Sequence, residues 1–163
     1  MNALRSRRHQ ARGFTLIELV VALALVGLVA MLAAPMAEMN VKRAKEEELR
    51  LALREIRGAL DLYKAAADQG LIERKVGDSG YPQHLETLVD GVRNVKSPGR
   101  ELMYFLRKIP RDPMAPLEEE AAATWALRSY ASPPGDPAPG ADVFDVHSKA
   151  PGTGMNGVAY TDG

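Results

Sequence analysis

From Leu19 to Ala37 the chain runs for nineteen residues without a charged side chain, LVVALALVGLVAMLAAPMA, and Phe14 to Ile17 extend the apolar stretch beyond Glu18. As a helix rising about 1.5 Å per residue, Phe14 to Ala37 measures about 36 Å, against a hydrocarbon core of about 30 Å. The segment is long enough to span a membrane. A chain of 163 residues then has room for one modest domain beside it, which excludes large multidomain enzymes.

Charge is balanced in sum, with 21 Lys and Arg against 21 Asp and Glu, but not in arrangement. Arg5, Arg7, Arg8 and Arg12 precede the apolar run, and from Gly13 to Val41 the only charges are Glu18 and Glu38. The remainder, from Lys42 onward, is close to neutral, so no basic domain exists and nucleic acid is not an expected partner. Cysteine is absent, which removes disulfides, thiolate metal sites and cysteine nucleophiles.

A conventional cleaved secretory signal fits this N-terminus poorly. The apolar run exceeds the usual ~7–15 residues, and its end, MLAAPMAEM, lacks a clean small-residue cleavage site. Arg7-Arg8 does not make a twin-arginine signal, because His9-Gln10-Ala11 do not support it. Lys42, Arg43, Lys45, Arg50 and Arg54 lie on the opposite flank, so counting cations favours a cytoplasmic N-terminus only modestly. Glu18 is the costly residue, since a carboxylate within an apolar helix must be protonated, near the headgroups or paired with a cation.

Arg12-Gly13-Phe14-Thr15-Leu16-Ile17-Glu18-Leu19, followed by the apolar run, resembles the class III signal of type IV pilins and type II secretion pseudopilins. That resemblance implies a membrane-embedded prepilin peptidase that cuts between Gly13 and Phe14 and methylates the new Phe14 amine. It also implies that Glu18 meets this ammonium, between neighbouring subunits, as a subunit enters a filament. Residues four apart share a helix face, so an intrahelical partner is equally compatible with the spacing. Pro35 resembles the family too, and it removes one helix hydrogen bond.

After Asn40 the pattern turns amphipathic, with Leu49, Leu53, Ile56, Leu60, Tyr63 and Ala67 recurring at helical spacing. Leu51, Ala52, Ala59 and Leu62 broaden this stripe beyond a strict coiled-coil seam, which favours packing on the chain's own head. The pairs Lys42 with Glu46, Arg43 with Glu47 and Glu46 with Arg50 read as a solvated face. Gln69-Gly70 is a stop signal, so one helix is expected from Phe14 to about Asp68.

Residues 69–163 hold 10 of the 11 prolines and most of the glycines, the mark of a small head with long loops. Tyr81 to Val89 reads as a short helix, and Trp125–Tyr130 and Asp142–His147 as strands. Pro133 to Gly140 reads as a loop. The expected architecture is therefore α+β: a long N-terminal helix, half transmembrane and half amphipathic, packed on a small antiparallel head. Its divisions are a leader at 1–13, a transmembrane and filament-core helix at 14–37, its amphipathic continuation at 38–68 and an α/β head at 69–163.

The fragments YPQHLETL, PRDPMAP, WALRSYASPPG and DVFDVHS, in this order, resemble the heads of G-type major pseudopilins. The chain departs from them at Asp112-Pro113-Met114, where those heads read Asp-Pro-Trp, and in its ending, MNGVAYTDG. The resemblance implies a possible calcium in the C-terminal loop, held by Asp145, Ser148 and Asn156 with backbone carbonyls. Without it, Asp145 is a strand residue and Asn156-Gly157 a tight turn.

No catalytic constellation stands out. Asp145, His147 and Ser148 suggest a triad only until strand alternation turns Ser148 away from His147. The resemblance implies a structural subunit of the bacterial inner membrane, single-pass, with a short cytoplasmic leader and a periplasmic head. Its implied partners are the prepilin peptidase, other pseudopilin subunits in homo- and hetero-filaments, an inner-membrane assembly platform and membrane lipid. A minor pilin of a type IV pilus and a membrane-tethered binding module are the alternatives.

Overall fold

The computed structural model describes residues 14–162, without the side chains of residues 32–37. The expected leader, with Gly13, and the side chain of Pro35 lie outside the described residues. The chain divides into two compact units, with the boundary between Val41 and Lys42.

Helix α1, Leu16–Asp68, contributes to both units. In the first unit every described side chain from Phe14 to Met31 is exposed, although nearly all are apolar. In the second, a 3.6-residue period sorts the helix into a buried and an open face. Leu49, Ala52, Leu53, Ile56, Ala59 and Leu60 are buried, and Tyr63 packs beside them. Leu51 and Leu62, expected to widen this stripe, are instead 55% and 62% exposed. Each sits on the helix side that turns away from Ile56 and Leu60, so the apolar stripe is narrower than composition suggested.

The helix stops in a Schellman arrangement. Gly70 N–H donates to Ala67 O and Leu71 N–H to Ala66 O, both at 3.0 Å, and Gly70 takes φ 68°, which glycine adopts without a Cβ penalty. The Lys96 ammonium adds a 2.6 Å hydrogen bond to Gln69 O, placing a cation where the helix dipole is negative.

The head closes over the buried face of α1 with two separate two-stranded sheets. Strands β1, Val92–Arg93, and β2, Leu102–Met103, are antiparallel. Strands β3, Trp125–Arg128, and β4, Asp145–Ser148, are antiparallel with Trp125 opposite Ser148 and Arg128 opposite Asp145. The fold is thus the expected α+β one, a long helix packed on small antiparallel sheets. Both strands of the second sheet are shorter than the sequence suggested, because Tyr130 joins a turn and Asp142 serves a loop contact.

The short helix expected over Tyr81–Val89 contracts to α2, Thr87–Asp90. Residues ahead of it form bends and turns, and Leu88 O is taken over by the Phe105 and Leu106 amides at 3.0 and 2.9 Å. Leu85, Leu88, Leu106, Trp125, Val143 and Val146 complete the core with the α1 stripe. The Trp125 indole N–H, which needs a partner once buried, donates to Pro110 O at 2.8 Å.

Candidate functional site

The sequence singles out two places, the N-terminal motif around Glu18 and the head loops. At the first, Thr15 Oγ1 accepts the Glu18 amide at 3.3 Å, half of the Ser/Thr-x-x-Glu pattern that caps helix starts. Glu18 lies in the first turn of α1, where a carboxylate complements the helix dipole, and both it and Phe14 are exposed. The apolar surface that follows is far larger than isolated exposed leucines would give, and contiguous surface of this kind marks a lipid or protein interface. Among the described residues no helix is long and apolar enough to cross a membrane; the described side chains of the apolar stretch break off at Met31.

In the head, β4 carries two of the three candidate calcium donors at opposite ends and on opposite faces. Asp145 shares a half-buried face with His147, while Ser148 shares the buried face with Val146. Three residue steps along the strand separate Asp145 from Ser148 by about 10 Å. Asp145 Oδ1 accepts the Arg57 guanidinium at 2.7 Å and the Val146 amide at 2.8 Å. Ser148 Oγ donates to Asp112 Oδ2 at 2.5 Å and accepts from the Ala150 amide at 3.0 Å. Asn156 Oδ1 accepts from the Val158 amide at 3.1 Å. Each of the three side chains is thus engaged by a different partner. Among the described residues no group of three or more His, Asp or Glu is arranged to hold a metal.

Two acids that the sequence did not single out are held more firmly. Asp112, 1% exposed, accepts from Ser148 and, through Oδ1, from the Met114 amide at 2.8 Å, while its own amide donates to Thr124 Oγ1 at 3.2 Å. The Asp-Pro-Met turn is thereby tied to β4. Glu46 was expected on a solvated face, yet it is 5% exposed. The C-terminal segment covers it, with the Met155 amide and the Tyr160 hydroxyl donating to its carboxylate. The sequence offered only a hint, Lys42 and Arg50 four residues to either side, and the same ladder also fits a solvated face.

An open cleft of about 950 Å³ lies beside Tyr81 and Tyr130, whose rings stack with centroids 5.9 Å apart. Asp142 at its edge accepts from Ser129 Oγ at 2.9 Å and the Tyr130 amide at 2.8 Å. Burial pushes the Asp142 carboxyl up, but these bonds and one from Ser79 hold it below the ordinary carboxylate value. Those contacts tie together the two ends of the proline-rich loop.

A capped N-terminal helix with a bare apolar flank, packed farther along on small antiparallel sheets, defines a pilin-like protein. The model of the prokaryotic N-terminal methylation motif matches residues 8–34. The chain is 31% identical over 114 residues to type II secretion system core protein G of Klebsiella pneumoniae, covering 64% of this chain and 70% of that protein. It is 30% identical over 113 residues to type II secretion system core protein G of Pseudomonas aeruginosa, covering 66% and 70%. No solved structure gives a significant match. The chain belongs to the family of type II secretion system core protein G, the G-type pseudopilins.

Proposed function

We propose that this chain is a structural subunit of a periplasmic pseudopilus that serves type II protein secretion. Prepilin peptidase removes residues 1–13 and methylates the Phe14 amine. Residues 14–37 then anchor the subunit in the inner membrane and later form the filament core, residues 38–68 continue the helix, and residues 69–163 form the periplasmic head. The chain performs no chemistry itself. Mechanical work comes from an assembly ATPase acting elsewhere, and the subunits add to one another through their apolar helices at the inner-membrane assembly platform.

The observation that carries this reading is the exposed apolar surface from Phe14 to Met31, within the residues that match the methylation motif. Such a surface is stable in lipid before assembly and against neighbouring helices after it. Cutting at Gly13 removes four arginines and creates an ammonium that must be neutralised in hydrocarbon, and Glu18 is the acid at hand.

In cells carrying the secretion apparatus, Glu18→Ala should give a processed, membrane-bound subunit that no longer cross-links into oligomers. Wild type should cross-link into a ladder. A ladder from Glu18→Ala equal to that of wild type would leave Glu18 without its assembly role and favour a tethered module.

A further inference from the structure

Metal-organised loops bring oxygen acceptors together around a cation. The C-terminal segment of this chain converges with the opposite polarity. Its ends are joined by a bridge between Thr153 and Ala159, by Gly154 N–H on Val158 O at 2.8 Å and by Tyr160 N–H on Gly152 O at 3.2 Å. Gly157, with φ 80°, makes the turn, and Asn156 Oδ1 closes it on the Val158 amide.

What this hairpin directs at α1 is hydrogen-bond donors. The Met155 amide lies 3.1 and 3.2 Å from the two carboxylate oxygens of Glu46, and the Tyr160 hydroxyl donates to Oε1 at 2.9 Å. From α1 itself, Lys42 Nζ and Arg50 stand 3.9 Å from Oε1 and Oε2. The Lys42 ammonium also donates to Thr153 O at 3.1 Å, so the helix grips the hairpin at three of its residues. A cation seated here would face an ammonium, a guanidinium and two inward-pointing donors.

We propose that Glu46 is the organising centre of the C-terminal hairpin, a buried anion that gathers the hairpin's donors, so that this loop closes without a metal. The hairpin supplies the donors, and Lys42 and Arg50 offset the charge. Asp145 and Ser148 bond elsewhere, to Arg57 and Asp112, while Asn156 serves the hairpin turn itself.

Hydrogen exchange of the full chain in detergent, in excess chelator and then in millimolar calcium, tests this. The Met155 and Val158 amides of wild type should be equally protected in both. Glu46→Ala and, separately, Tyr160→Phe should speed their exchange roughly tenfold or more, since local opening governs exchange and each change removes a bond that opposes it. The β3 and β4 amides should keep their protection, and calcium should rescue neither variant. Tyr160→Phe deletes one hydroxyl, so it reports even if Glu46→Ala fails to fold. Protection of the wild-type hairpin by calcium, or unchanged hairpin exchange in Tyr160→Phe, would overturn the proposal.

Discussion

A carboxylate taken out of water is driven toward its neutral form unless donors and cations favour the charge. For Glu46 burial pushes the pKa up, but the Met155 amide, the Tyr160 hydroxyl, Lys42 and Arg50 together outweigh it and hold the group below its ordinary 4.5. Tyr160 moves the other way: burial and then its hydrogen bond to Glu46 raise it above 10.0. A depressed acid stabilises the fold above its unfolded value and loses that contribution as pH falls through the folded pKa. A raised phenol stabilises below its unfolded value and loses that contribution as pH rises through the folded pKa. The stability difference between wild type and Glu46→Ala should therefore be full near neutral pH and shrink below about pH 4.5, which thermal unfolding across pH reads directly. A gap that persists unchanged in acid would contradict the arrangement. Ser148→Ala should cost about 1–3 kcal/mol in urea unfolding by stripping Asp112 of its hydroxyl donor. Neither contact was legible in the sequence, because the partners lie 109 and 36 residues apart and no local pattern reports such pairings. The i, i+4 ladder around Glu46 was visible, but a ladder of that kind serves a solvated face as readily as a covered one.

Elements were read more successfully than contacts, for a physical reason. Helix α1 repeats one environment over many turns, so its period survives individual exceptions, and the Gly70 stop is a local conformational demand. The strands of the head run four residues or fewer and take their boundaries from loops and neighbours, which is why the expected ranges slipped. The β1–β2 pair was not anticipated at all, since two-residue strands carry no alternation to detect. Within α1 the narrower stripe yields a sharp comparison. Ile56→Ala, at a fully buried position, should destabilise by about 2–5 kcal/mol. Leu62→Ala, six residues farther along and open to solvent, should change stability in the isolated subunit by about 0.5 kcal/mol or less. Equal losses at the two positions would mean that the helix buries a different face.

At the scale of the molecule, the two units meet different solvents in the proposed role. The unit from Lys42 onward has an ordinary packed core and a surface of mixed charge, which is how a soluble head is built. The unit before it presents apolar side chains outward, stable only in lipid or against other helices. The change from a nearly charge-free run to an amphipathic helix is compositional, so it is visible in the sequence without any long-range contact. In the proposed role, processing at Gly13 is the step that readies the subunit for assembly. The most direct measurement is the intact mass of the membrane-extracted chain expressed with a prepilin peptidase, for wild type and for Gly13→Val. Wild type should lose residues 1–13 and gain one methyl group, while Gly13→Val should retain its full length. An uncut wild-type chain, or one cut beyond the apolar run, would contradict it.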